Sequence, residues 1–357
     1  MKRPGVFSAA LLGVLVAQRP AAAQSFQRFS LETTASIDHF TNDAAATRPQ
    51  IIFDIVATVR LGAGWDAYVR PWVRLPRNPG WDTLIYQAAV RYQRPGPVAL
   101  RVDAGDIASP IGLGLLDTSP SVNPLIGPHM SYFVPMLPFN TGTPSRVLAV
   151  ASSYPLGVVA SLSGRRWDAR VATVESTPTR IRTIGGATKP LATGVIEAGA
   201  GFTPAVGLRV GVSMAHGAYL TSAEIPQPNA GDRHVTMFGV EGEYAFGYTK
   251  LSGEWIRDRF DTSTTPVDAH TWFIQGMHTI SPRWYVAGRR EATYAPARFT
   301  GDILAAQPDL NSAELTVGYR ATPEITVKGS WASSRFYGAS EWVQHAGFGV
   351  VWNRRWW

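Results

Sequence analysis

Residues 29–37 (FSLETTASI) put Phe29, Leu31, Thr33, Ala35 and Ile37 on one face and Ser30, Glu32, Thr34 and Ser36 on the other. The same alternation returns in 53–61 (FDIVATVRL) and 65–75 (WDAYVRPWVRL). A period of two over about nine to eleven residues is a β-strand with one apolar face, and it is also the length a tilted strand needs to cross a bilayer. Further segments of this kind are 83–92, 98–104, 167–174, 194–203, 208–219, 235–246, 248–257, 271–280, 284–294, 312–321, 325–333 and 342–352. Segment 146–164 reads either as one long strand or, through Tyr154-Pro155-Leu156-Gly157, as a turn between two. No amphipathic helix appears.

The connections alternate in length. Short ones are 62–64, 93–97, 164–166, 204–207, Gly247, 281–283 and 322–324; between them fall 38–50, 76–82, 105–145, 175–193, 220–234, 258–270, 295–311 and 334–341. Tight turns at one end and long loops at the other describe a meander between two different environments, as in bacterial outer-membrane barrels with short periplasmic turns and long outer loops. Taking 146–164 as a single strand gives 16 strands and puts every short turn on one side. Taking it as a hairpin gives 17, against the even counts of single-chain bacterial barrels.

A soluble β-sandwich or propeller shows the same stripe with its apolar side turned inward. Three features favour the membrane. No repeat of about 40 residues runs through the chain. Aromatic residues stand at strand ends (Trp65, Tyr92, Trp255, Trp284, Tyr294, Tyr319, Trp331, Trp352), where an interfacial girdle lies. Mean hydropathy is near zero despite so many strands, which fits an apolar exterior around a polar interior. The fold expected is an all-β, antiparallel, up-and-down transmembrane barrel.

Residues 1–23 (MKRPGVFSAALLGVLVAQRPAAA) have a basic start, an apolar stretch from Val6 to Ala17 and a small-residue triplet, the layout of a cleavable export signal. The expected mature chain, 24–357, is one barrel domain. Without Lys2, Arg3 and Arg19, 30 Lys+Arg face 26 Asp+Glu, so charge gives no reason to expect nucleic acid as a partner. The chain has no cysteine, which excludes a disulfide scaffold, a thiolate metal site and a cysteine nucleophile.

The chain ends GFGVVWNRRWW, with Phe348, Val350, Trp352 and Trp356 on one face. This resembles the terminal aromatic signal by which outer-membrane barrels are recognised for assembly, although Arg354 interrupts the apolar face. The resemblance implies the barrel-assembly machinery as a partner during biogenesis and the outer membrane as the destination. With 16 strands and its longest connection, 105–145, after the fifth, the chain resembles a bacterial porin. The passage of a strand into Gly-Asp-Ile-Ala-Ser-Pro-Ile-Gly is similar to the phosphate-selective and related substrate-selective porins. The likeness implies a channel, outer-membrane lipid as surroundings and a homotrimer as one possible assembly.

With the apolar face outward, the other face lines the interior, and of the strand charges only Arg290 and Arg354 are placed on the lipid side. The pore-lining candidates are Arg60, Arg70, Arg74, Arg91 and Arg101 as a basic wall, Arg170 and Arg209 beyond it, and Glu241, Glu243 and Glu254 across the barrel. Asp106, Asp117, Tyr132 and Phe133 are the constriction candidates of loop 105–145. Opposed charged walls give a transverse field and a weak anion preference; alternatively, the charges pair between neighbouring strands and hold a solvated wall together. The loop is rich in apolar residues and in proline, so it is expected to fold into the lumen, cover a neighbouring subunit or form a path for hydrophobic solutes.

No catalytic set, cofactor site or metal site is expected. Ser213 and His216 are three apart and point to opposite faces of a strand, and H-E-x-x-H, G-x-S-x-G and phosphate-binding loops are absent. The expected function is passive or facilitated diffusion of small polar solutes or ions. A non-conducting structural, adhesion or export barrel, or a channel for hydrophobic solutes, is the alternative.

Overall fold

A computed structural model describes residues 28–41, 49–75, 82–113, 118–132, 135–138, 146–148, 153–180, 194–225, 231–263, 265–294, 299–300, 303–304, 309–335 and 339–356. The expected export signal, residues 1–23, and Asp117 and Phe133 lie outside these residues. Alternation delivers strands along the described chain: β1 (Phe29–Phe40), β2 (Gln50–Gly62), β3 (Trp65–Leu75), β4 (Asp82–Arg94) and β5 (Ala99–Asp106) come first. The short pair β6 (Pro135–Pro138) and β7 (Arg146–Leu148) follows and stands apart. Then come β8 (Leu156–Ser163), β9 (Trp167–Val174), β10 (Val195–Ala205), β11 (Leu208–Leu220), β12 (Arg233–Phe246), β13 (Thr249–Phe260), β14 (Val267–Thr279) and β15 (Trp284–Tyr294). A second short pair, β16 (Phe299–Thr300) and β17 (Ile303–Leu304), precedes β18 (Leu310–Arg320), β19 (Ile325–Arg335) and β20 (Val343–Arg355).

Without β6, β7, β16 and β17, the other sixteen form one closed antiparallel barrel in which each strand pairs with the next. Closure joins β1 to β20, with Thr34 opposite Asn353 and Phe40 opposite Gly347, and leaves no open sheet edge. The strand count agrees with the sequence expectation. Segment 146–164 is the exception to both readings: only 156–163 joins the wall, while 146–148 pairs with 135–138. Pro155 has no N–H to give a wall partner, and the carbonyls of Ser153 and Pro155 instead accept from Ser109 N at 3.3 Å and Ile107 N at 3.0 Å.

The two faces carry opposite chemistry. On β18, outward Leu315 is 58% exposed while inward Thr316 is fully buried. The same inversion holds on β11, where Val212 is exposed and Ser213 buried. A soluble sandwich has the reverse arrangement, so the apolar exterior excludes it. Aromatic pairs mark the rims: Trp65 with Tyr92 at 5.0 Å and Trp284 with Tyr319 at 4.6 Å at the turn end, and Phe238 with Trp255 at 6.4 Å toward the loops.

Two expectations need correction. The outward face also carries Arg257, Arg259 and Asp268, because β13 and β14 extend further toward the long loops than the apolar stripe does. The interior is not uniformly polar either. Near the long loops, β11–β14 turn Tyr219, Val235, Met237, Ile256, Phe260 and Val267 inward, and the chain leaving β5 packs Ile111 and Tyr132 into the same apolar cluster. That half of the barrel has a true hydrophobic core.

Candidate pore constriction

Residues 107–113 and 118–132, after β5, lie in the lumen, where the far wall offers them partners. Ser109 Oγ donates to Glu197 of β10 at 3.1 Å. Leu113 N donates to Glu254 of β13, and Tyr132 Oη donates to the same carboxylate at 2.9 Å. Gly112, at φ +82°, sits between them; a Cβ there would strike Tyr132 Oη and the Glu254 carboxylate, so only glycine fits.

Residues 118–132 then run along β19, β18 and β15. Lys328 Nζ donates to the carbonyls of Pro120 at 3.0 Å, Asn123 at 2.6 Å and Leu125 at 3.1 Å. Glu314 accepts from Ile126 N at 3.0 Å and Gly127 N at 3.1 Å. Arg289 donates to the carbonyls of Gly127 and Pro128 at 2.9 and 2.6 Å, and Glu291 accepts from Met130 N at 3.0 Å. His129 lies on Phe273, with ring centroids 4.2 Å apart. These wall charges are buried, and a buried ion without partners would cost several kcal/mol, so the loop backbone and the wall satisfy one another.

Most of these anchors lie on β13–β19, with Ser109 held by Glu197 of β10, and a cavity opens on the side of β1–β4 and β20. It has a volume of about 240 Å³ and is lined by Ser36, Ile52, Trp72, Arg74 and Tyr86 of the wall, with Asn123 and Ile126 of the loop. Trp72, Tyr86 and Tyr154 stack in sequence at 4.8 and 4.6 Å, and the Arg70 guanidinium covers the first two rings.

The sequence-expected wall residues are placed as follows. Arg70 makes a bidentate pair with Asp54 at 2.8 and 2.7 Å. Arg91 and Arg101 share Asp103, each at 2.6 Å, and Arg60 stands 4.0 Å from Asp66. Glu241 accepts from Arg209 at 2.7 Å and Arg170 at 3.3 Å, and Asp168 joins that group through Arg209 at 2.9 Å. Glu243 pairs with Lys250 at 2.6 Å, while Glu254 is capped by the loop. Asp106 is buried at the end of β5, where the chain leaves the wall.

The wall is therefore built of pairs within one strand or between strands up to three apart, in which the base is often the more exposed partner. Side-chain exposure is 58% for Arg60 against 21% for Asp66, 49% for Arg101 against 2% for Asp103, and 53% for Lys250 against 28% for Glu243. Asp168, at 32% against 21% for Arg209, is the counter-example. Sequence reading placed Lys328, Arg289, Glu291 and Glu314 inward by parity but gave no sign that they anchor the loop. Their partners are backbone atoms, which leave no trace in residue identity.

No family model matches the chain, and no curated protein matches it in sequence. Among solved structures, it is similar to the anion-selective porin from Comamonas acidovorans (12% identity, 91% of this chain and 98% of that one, TM-score 0.59). It is also similar to OmpF of Salmonella typhi in complex with daunomycin (9% identity, 91% and 97%, TM-score 0.61). A third likeness is to the loop L8 deletion mutant of OmpT, an outer membrane protein of Vibrio cholerae (11% identity, 91% and 98%, TM-score 0.55). At these identities the shared property is the fold. The sixteen-strand closure, the apolar exterior and these likenesses together give the chain the fold of the porin-like outer-membrane β-barrels.

Proposed function

We propose that the barrel is a passive diffusion channel for small polar solutes and ions, with a weak preference for anions. The passage runs between the luminal segment and the wall formed by β1–β5 and β20. What supports the preference is the unequal treatment of the two signs of charge. The loop covers three carboxylates, Glu254, Glu291 and Glu314, against two cations, Arg289 and Lys328, while Arg60 and Arg101 keep about half of their side-chain surface open. Uncovered charge in a narrow, low-dielectric passage dominates ion selection. Replacing both arginines (R60A/R101A) leaves Asp103 held by Arg91 and is expected to move the reversal potential under a salt gradient toward cations. An unchanged reversal potential would contradict the assignment.

A specific observation favours a second reading. Ile111, Leu125 and Tyr132 are almost fully buried inside the barrel, as a plug would be. A plugged barrel carries no current until the loop moves, so conductance separates the two.

The further assignments are proposals of the same kind. Cleavage near Gln24 precedes folding, and the C-terminal strand is the handle for the assembly machinery. The alternating outward positions of β1, β2, β3, β8, β9 and β10 hold no charged residue, which suits contact with other subunits of a homotrimer. We assign no catalysis: Ser213 faces the lumen and His216 the lipid side, so they form no nucleophile–base pair.

A further inference from the structure

The cavity beside β1–β4 and β20 has two kinds of surface. One is apolar and aromatic: Trp72 and Tyr86 of the wall line it, and Ile126 of the luminal segment lines it as well. Trp72 and Tyr86 begin the stack that Tyr154 completes, with ring centroids 4.8 and 4.6 Å apart, and Tyr154 is not among the lining residues. The Trp72 end of the stack therefore meets the open space. A cavity of about 150 Å³ already holds a benzene ring, so this one, at about 240 Å³, has room for a six-membered ring and a polar substituent.

The other surface is polar and calls for an acceptor. Ser36 is buried, and among the described residues its Oγ has no hydrogen-bond partner. A buried hydroxyl in that state is uncommon, and it meets a new acceptor by turning about one bond. The charged residues lining the cavity are Arg74, Lys328 and Asp38, two cations to one carboxylate, so one further negative charge balances the site. Lys328 gives its hydrogen bonds to three loop carbonyls, and Asp38 accepts from Gln50 at 3.4 Å, which leaves Arg74 as the cation for an incoming anion. A bare inorganic anion would satisfy the charge but leave the aromatic side uncovered, whereas a flat ring on Trp72 extends the existing stack. We infer that the cavity is a binding site for a small monocarboxylate that carries one flat ring. Its carboxylate meets Arg74 and the hydroxyl of Ser36, and its ring lies between Trp72 and Ile126. The inference deepens the channel reading and rests on it for the claim that the site lies in the path of solutes.

Binding is measured without current, by titration calorimetry of the folded, detergent-solubilised barrel. The probes are benzoate, benzamide, which keeps the ring without the charge, and acetate, which keeps the charge without the ring. Benzoate should bind saturably, and benzamide and acetate should each bind at least about tenfold more weakly. In S36A, which deletes no hydrogen bond between described residues, affinity for benzoate should fall about tenfold, the loss that goes with a hydrogen bond to a charged group. R74Q should lose at least as much. An absence of saturable benzoate binding would overturn the site, and so would equal affinity for benzamide or acetate. Unchanged benzoate affinity in both variants would place the ligand elsewhere on the barrel and overturn it too. The two readings fail separately. A barrel that conducts but does not bind benzoate loses only this site, and one that binds the probes in the expected order but passes no current loses only the channel.

Discussion

At the scale of single residues, the most informative side chain is Lys328. Its ammonium, almost fully buried, is bound by three loop carbonyls, so it does for residues 120–125 what a capping residue does for a helix end. Lys328→Met keeps the length and the packing but strands three carbonyls away from water. The expected cost is on the order of 3 kcal/mol of barrel stability, read as a lower midpoint in denaturant unfolding followed by heat-modifiability. A midpoint equal to that of the unaltered protein would mean that the loop does not lean on this residue. Arg354 illustrates how a rule-breaking residue is accommodated. It stands on the lipid face, but at the turn-end interface, 3.7 Å from Glu324 and with its guanidinium 4.4 Å from the centre of the Trp356 ring. A cation over a tryptophan beside a carboxylate fits the interfacial belt.

At the scale of elements, strands were legible and the loop was not. Period two is a local signal, so β3, β9 and β15 have the bounds that alternation assigned, 65–75, 167–174 and 284–294. Errors collected where strands run past the apolar band. The last residues of β13, Arg257-Asp258-Arg259-Phe260, still alternate, but with charge outside and an aromatic ring inside, so a reading keyed to an apolar exterior stops too early. Segment 146–164 was ambiguous because Pro155 interrupts its pairing, and which partner replaces the missing bond depends on where residues 107–109 go. That is tertiary information.

The loop's path has the same character: parity sent Glu254 and Glu314 inward, yet what each binds is a backbone N–H or a tyrosine hydroxyl far away in sequence. These carboxylates act as two clasps: Glu254 holds Leu113 and Tyr132, and Glu314 holds Ile126 and Gly127 between them. Replacing both (E254Q/E314Q) removes the charge-assisted part of the hydrogen bonds and is expected to loosen the segment without opening the barrel wall. The measurable consequence is a larger or noisier single-channel current from a barrel that still migrates as folded. A current identical to that of the unaltered protein would show that the apolar packing of Ile111, Leu125 and Tyr132 holds the loop unaided.

At the scale of the whole molecule, one inversion organises everything. The sheet closes on itself, so its backbone groups need no water, and its apolar face is free to meet lipid. The enclosed face then divides lengthwise. Toward the turns it is a lattice of base–carboxylate pairs within and between nearby strands, and toward the loops it is an apolar chamber into which Ile111 and Tyr132 pack. Function follows from how completely that filling closes the lumen. Because most of the described polar anchors of the loop lie on β13–β19, the account places a lane beside β1–β4 and β20, where the cavity lined by Arg74 lies. Single-channel recording of the refolded mature protein in a planar bilayer, under a salt gradient, tests this most directly. The account predicts discrete conductance steps and a reversal potential of the sign produced by anion preference. A folded, heat-modifiable barrel that passes no current, or one that prefers cations, would contradict it.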